Sequence, residues 1–143
     1  MAEYSCNFTI PAGSTGGKLT GGFVGGTPNL QMGDRFTVSV VYPSTTGNPS
    51  VMAGAFVFTT APDAPAGQST ATPFVFSYND AFVCCLMATA TGVISGNTVV
   101  YTFSPLEYIG RLPGKYELTF VAINNETTPP QQWSEDPEFD TSS

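Results

Sequence analysis

Histidine is absent from all 143 residues of the chain. Its absence excludes the Ser-His-acid and Cys-His catalytic arrangements, the usual proton shuttle at neutral pH, and most zinc and copper sites. Basic residues number only four (Lys18, Arg35, Arg111 and Lys115) against eleven acidic ones, which gives a net charge of −7. Nucleic-acid binding needs clustered basic residues. The composition therefore predicts a protein that does not bind nucleic acid and is not an enzyme.

Cysteines and long apolar runs are also scarce. The three cysteines, Cys6, Cys84 and Cys85, form no Cys-x-x-Cys pair, so neither a disulfide framework nor a zinc knuckle is expected. With no basic neighbour in sequence to activate them, we expect buried free thiols. No run approaches the 18 apolar residues of a membrane span, and no signal peptide is apparent. We expect no transmembrane segment and a protein that is cytoplasmic or exported without a standard signal.

Turn-forming residues and period-two alternation are what the sequence has in abundance. Twelve prolines and fifteen glycines interrupt the chain at short intervals, and no window shows helical periodicity. Apolar and polar residues alternate along residues 4–10, 35–42, 98–103 and 115–122, which is typical of half-buried antiparallel strands. The sequence predicts one all-β domain over residues 1–143, with long loops near 11–29 and 61–72 and an acidic carboxyl-terminal tail.

Two stretches resemble strands of the immunoglobulin-like β-sandwich. Residues 33–40 look like its second strand, entered through a Gly-Asp turn, and residues 112–122 look like its penultimate strand. The resemblance implies a two-sheet antiparallel immunoglobulin-like sandwich of seven to nine strands. It also implies a tyrosine corner at Tyr116, with a buried ring and a hydroxyl bonded to the backbone of the turn 110–114. It identifies no specific family and no activity.

Two strand-like runs are apolar on both faces, which predicts a surface that something must cover. Residues 51–58 put Met52, Phe56 and Phe58 on the side opposite Val51 and Val57. Residues 82–87 put Val83, Cys85 and Met87 on one side. One face of each strand should point away from the core. A long loop, a second copy or a ligand must cover it. The predicted interface residues are Met52, Phe56, Phe58, Val83, Cys85 and Met87.

Acidic residues are concentrated in the tail. Asp136, Glu138 and Asp140 alternate along residues 133–140 and are the candidate ligands for calcium, the one cofactor that the sequence suggests. The alternative is a final edge strand whose outward acids keep the protein soluble and block edge pairing.

Three functional hypotheses follow. The first is a non-catalytic binding or self-assembly module that forms a homo-oligomer through sheet faces or edges. The second is a calcium-assisted surface-recognition domain of the carbohydrate-binding kind. The third is a membrane-active protein with an aromatic-rich surface.

Overall fold

The computed structural model describes residues 1–68, 76–79, 81–83, 85–110 and 113–142. These residues form strands and turns, with no helix among them, so the all-β prediction is confirmed. No part of the described chain forms a helix long and apolar enough to cross a membrane. The strands are β1 (Glu3–Thr9), β2 (Gly17–Lys18), β3 (Thr20–Phe23), β4 (Asn29–Leu30), β5 (Arg35–Tyr42), β6 (Val51–Thr60), β7 (Phe76–Tyr78), β8 (Ala81–Val83), β9 (Cys85–Ser95), β10 (Thr98–Thr102), β11 (Leu106–Tyr108), β12 (Gly114–Asn124), β13 (Gln131–Glu135) and β14 (Glu138–Thr141).

The strands join into one continuous, nearly closed, barrel-like sheet. Its main path runs β2-β13-β12-β6-β9-β10-β5-β11-β7-β8, with β1 and β3 continuing from β5 and with β14 and β4 continuing from β12. The arrangement differs from the predicted two-sheet sandwich of seven to nine strands, because fourteen strand segments are present in the described ranges. It is also not wholly antiparallel, since β1 runs parallel to β5.

Strand β9 joins the two halves of the structure into one sheet, because it pairs with a strand of each half. Its first part, from Cys85 to Thr91, pairs with β6, whereas its last part, from Gly92 to Ser95, pairs with β10. A Cβ atom at Gly92 would lie 2.7 Å from Cγ1 of Val99. Glycine therefore leaves room for the Val99 side chain of β10 at the point where β9 changes its partner from β6 to β10.

The core lies inside this sheet, and the alternation read from the sequence places it correctly. Phe36, Val38 and Val40 of β5 are buried, as are Tyr116, Leu118 and Phe120 of β12. Because a β-strand directs successive side chains to opposite faces, their neighbours along each strand lie at the surface or only partly buried. The largest buried side chains are aromatic and pack ring against ring, as Phe58 and Phe76 do with centroids 4.5 Å apart. Edge-to-face and offset contacts of this kind add to simple burial.

The predicted long loops are partly ordered into strands. Residues 11–29 contain β2 and β3 and lead into β4, so this segment is not one loop. Short glycine-rich strands have few side chains to alternate, which is why the sequence pattern is weak in this segment. In the second segment, residues 61–68 form turns. The remainder of the predicted loop, 69–72, lies outside the described residues.

The ring of Tyr116 is buried, whereas the predicted bond from its hydroxyl to the turn 110–114 falls partly on residues 111 and 112, which lie outside the described residues. No hydrogen-bond partner for the Tyr116 hydroxyl occurs among the described residues, and the same is true of the Tyr108 hydroxyl. Tyr116 sits in the middle of the barrel-like sheet, with its ring 6.0 Å from that of Phe139 on the neighbouring strand β14. Burial raises the pKa of its hydroxyl, and the proximity of Tyr108 adds to the effect. The ring therefore packs in the core, and among the described residues its hydroxyl bonds to no part of the turn.

Candidate functional site

Met52, Phe56 and Phe58 belong to the core and not to an interface. All three are fully buried within a single chain, so they have no surface with which to contact a partner. Phe56 packs edge-on against Phe103, with centroids 5.5 Å apart. One face of β6 does point away from the core, as predicted. That face is the one that carries Val51 and Val57, and not the predicted face with Met52, Phe56 and Phe58.

The outward face of β6 carries Val51 and Val57, which are 41% and 40% exposed. On the adjacent strand β9, Met87 is 64% exposed and Cys85 is also at the surface. The antiparallel register places Val57 opposite Cys85 and Ala55 opposite Met87. Residues directly opposite each other on one face have Cβ atoms about 4.5–5.5 Å apart. These apolar side chains therefore form one surface, and of the predicted interface residues Cys85 and Met87 lie on it.

Strand β12 extends the same surface on the other side of β6. Val121 lies opposite Ala55 and Ile123 lies opposite Ala53, and both are partly exposed. We call this surface the outer face and define it by Val51, Ala53, Ala55, Val57, Cys85, Met87, Val121 and Ile123. The signal for Val121 and Ile123 was present in the sequence, because the outward positions of β12 turn from Glu117 and Thr119 to apolar residues.

The outer face contains no charged residue and is bordered by threonines. Thr59, Thr89 and Thr91 are exposed beside it, and Thr119 is partly exposed. An apolar centre with a polar, hydrogen-bonding rim is the usual composition of a protein interface. Three strands about 4.8 Å apart and about seven residues long span roughly 10 by 20 Å.

Val83 and the cysteines complete the predicted set. Val83 is partly buried on β8 and packs against the core, so it is not part of the outer face. Cys6 is buried, and burial raises the pKa of its thiol to about 12, which leaves it unreactive at neutral pH. Cys85 is exposed, which corrects the expectation that the thiols are buried. Cys84 lies outside the described residues.

The predicted calcium ligands are not brought together as a set of three. Asp136 is exposed in the turn before β14, whereas Glu138 and Asp140 lie on β14 opposite Glu117 and Lys115 of β12. Asp63 joins them and makes an ion pair with Lys115, with Oδ2 3.6 Å from Nζ. No group of three or more acidic or cysteine side chains in the described ranges is arranged to hold a metal ion.

Hydrogen bonding, burial and charge repulsion at this acidic end shift the pKa values of its carboxyls. The hydrogen bond between the Asp63 and Glu138 carboxyls raises the pKa of Glu138 and lowers that of Asp63. Partial burial raises the pKa of Glu117, and the charges of Asp136 and Asp63 raise it further. Lys115 is the cation that offsets this charge, and it is already paired with Asp63.

Among the residues that the structure describes, the exposed apolar side chains are not aromatic. The large apolar side chains that are exposed in the described parts of the chain are methionine, valine and isoleucine. Most phenylalanines and tyrosines lie inside the barrel-like sheet or pack against its core. The described part of the chain therefore does not present the aromatic-rich surface on which the membrane-active hypothesis depends.

The chain was compared with protein families, curated proteins and solved structures. No protein-family model, no curated protein and no solved structure matches the chain.

Proposed function

We propose that the chain is a non-catalytic assembly module that forms a homo-oligomer by packing its outer face against the same face of a second copy. The observation that supports this is the outer face itself, where eight neighbouring residues on three adjacent strands include no charge. Leaving so continuous an apolar surface in water is unfavourable, and its burial contributes about 25 cal/mol for each Å² removed from solvent.

A second copy suits this surface because an apolar face without charge can pack against an identical face without burying an unpaired charge. Sheets stack face to face about 10 Å apart with interleaved side chains, as the two layers of an immunoglobulin-like sandwich do. A two-fold dimer applies that packing between chains, so that each residue meets its counterpart or a near neighbour. A specific interface buries about 800 Å² per partner. The apolar centre supplies part of that area, and the threonine rim supplies more.

The net charge should affect how fast two copies associate more than how tightly the outer faces hold together. Each copy carries a net charge of −7, so two copies repel each other at distances beyond the face. Salt screens that repulsion, since the Debye length is about 10 Å at 0.1 M ionic strength. The proposal therefore predicts that assembly strengthens as salt concentration rises, whereas an assembly held by ion pairs weakens.

Sedimentation and light scattering of matched variants test the proposal. The wild type should have a mass well above the 15.0 kDa of one chain, and Met87→Lys should be monomeric with an unchanged circular dichroism spectrum. Met32→Lys is the matched control, because Met32 is 73% exposed in the turn before β5 and lies off the outer face. This control should assemble like the wild type.

The size of the Met87→Lys effect follows from burial. Full burial of a methionine side chain contributes about 1.5–3 kcal/mol, so the 64% that is exposed corresponds to about 1–2 kcal/mol per copy. Two copies meet in each dimer, so the loss of about 2–4 kcal/mol weakens dimerisation by about 30-fold to 1,000-fold. A wild type that stays at the mass of one chain at high concentration would refute the proposal.

The Cys85 thiol provides a second measurement on the same surface. In a Cys84→Ser background, its alkylation by a maleimide should slow as protein concentration rises, because dimerisation covers it. Adding Met87→Lys should abolish that concentration dependence. Equal alkylation rates at all concentrations, in a protein that is nevertheless oligomeric, would place the interface elsewhere.

A further inference from the structure

A pocket of about 290 Å³ opens between two loops at the end of the sheet where β1 and β5 finish. One loop follows β1 and the other follows β5, and the first residue of β13 closes the side. We call it the loop-end pocket. The lining side chains that matter here are Ser14, Thr15, Tyr42, Ser44, Thr46 and Gln131.

The pocket is held in place by the one tryptophan of the chain. The indole Nε1–H of Trp133 donates to Oγ of Ser14 at 3.0 Å, which fixes the loop after β1. The ring of Tyr42 packs edge-on against the same indole, with centroids 6.5 Å apart and an interplanar angle of 85°. Trp133 is fully buried. Both walls of the pocket therefore rest on one rigid side chain of the core.

The lining offers hydrogen-bonding groups of both kinds. The hydroxyl of Ser44 is occupied within its own turn, since it donates to the Thr46 carbonyl and accepts from the Thr46 N–H, both at 3.1 Å. The Thr46 hydroxyl lies 3.0 Å from it and shares a hydrogen bond, so it is the Thr46 hydroxyl that keeps capacity for another partner. Oε1 of Gln131 accepts from Nδ2 of Asn124 at 3.2 Å. That contact orients the amide, and its NH₂ group has no partner among the residues that the structure describes.

None of the residues that line the pocket is charged. A site for phosphate or a carboxylate would place a basic side chain or a helix terminus at the ligand, and this one has neither. An aromatic ring beside hydroxyls and an amide instead suits a neutral ligand with an apolar side and many hydroxyl groups. The volume is at the small end of ligand pockets, which begin at about 300 Å³.

We propose that the loop-end pocket binds a neutral sugar through a single pyranose ring. The ring packs its C–H side against Tyr42 and exchanges hydrogen bonds with the amide of Gln131 and the hydroxyl of Thr46. This inference uses a different part of the molecule from the outer face, so it stands or fails separately from the proposed assembly.

Fluorescence of Trp133 gives a direct test, because no other tryptophan is present to obscure it. The probes are the methyl glycosides of glucose, galactose, mannose, fucose and N-acetylglucosamine, each titrated to 100 mM. At least one should change the emission along a saturating curve. Gluconate and inorganic phosphate should not. Binding to chitin, cellulose or mannan, released by the free sugar, would identify a chain end as the source of the ring.

Matched variants locate the binding. Gln131→Ala should weaken it by about 3- to 10-fold, as expected for one lost hydrogen bond, and Tyr42→Ala should weaken it further while Tyr42→Phe keeps most of it. Thr46→Ala should weaken sugar binding. Thr89→Ala is the control, because Thr89 is an exposed threonine of the outer-face rim, and it should leave sugar binding unchanged. The proposal is overturned if neither fluorescence nor calorimetry detects saturable binding of any probe. It is also overturned if the variants at Tyr42 and Gln131 bind as the wild type does.

Discussion

Gly54 occupies a position in β6 where no other residue should fit. It lies on the inward face between Met52 and Phe56, where a Cβ atom would sit 2.8 Å from Cε1 of Phe103 and 2.9 Å from Cε1 of Phe120. Those two rings already pack edge-to-face, with centroids 5.6 Å apart. Gly54 does not have a left-handed backbone conformation, so alanine there tests packing alone.

Gly54→Ala should lower the free energy of unfolding by about 1–3 kcal/mol, the usual cost of forcing an extra methyl group into a close-packed core. For a chain of 143 residues, this corresponds to a fall in Tm of about 3–12 °C. The two phenylalanine rings contact other core rings, including Phe56 and Phe8, and cannot move aside without displacing them.

Gly22→Ala in β3 is the matched control. An added Cβ there meets nothing within 4 Å, and the backbone is not left-handed. The control should leave Tm unchanged or raise it slightly, because alanine restricts the unfolded chain. Thermal unfolding followed by circular dichroism measures both, and Phe103→Leu added to Gly54→Ala should restore part of the loss. If the two glycine variants unfold at the same temperature, the core is not packed as described.

Three further predictions concern single side chains. Tyr116→Phe should raise the free energy of unfolding by about 1 kcal/mol because its buried hydroxyl has no partner among the described residues. Tyr101→Phe should lower it by about 1–3 kcal/mol because that hydroxyl donates to the Pro49 carbonyl. Urea unfolding of both variants measures the two changes. The folded state raises the pKa values of Glu117 and Glu138. These two carboxyls therefore add to the free energy of unfolding below the ordinary glutamate pKa of about 4.3, and this contribution is lost as pH rises through their folded-state pKa values. Glu138→Gln should therefore raise Tm more at pH 7 than at pH 4, and an equal rise at both would contradict the repulsion. Calcium at 5 mM should leave the wild-type Tm unchanged, and a rise that Glu138→Ala removes would establish a calcium site instead.

Alternation was sufficient to place most of the core, because a strand with one buried face has only one register that hides its apolar residues. The inward positions of β5 and β12 are buried as expected. The β6 run gave no such information, since both of its faces are apolar. Its inward face is the one with the larger rings, Phe56 and Phe58, which fill the barrel-like interior. Residue size was thus the better guide there.

The sites depended on pairing between distant strands, which sequence alone does not specify. The outer face needs the register of β12 on β6 to bring Val121 beside Ala55. The loop-end pocket needs Trp133 to meet Ser14, which is 119 residues away along the chain. From the sequence, the acidic tail was interpreted without Asp63, because nothing in the sequence indicated that Asp63 lies against Glu138.

The change of partner along β9 determines how the molecule can open. Its two parts are bonded to β6 and to β10, so neither side of the sheet can lose its order while β9 stays in place on the other. Partial unfolding by separation of layers is thereby disfavoured, and the amide protons of β6, β9 and β10 should exchange with solvent in a single cooperative event. The same continuity means that a destabilising change at Gly92 affects the entire fold, whereas in two independent sheets it would be confined to one.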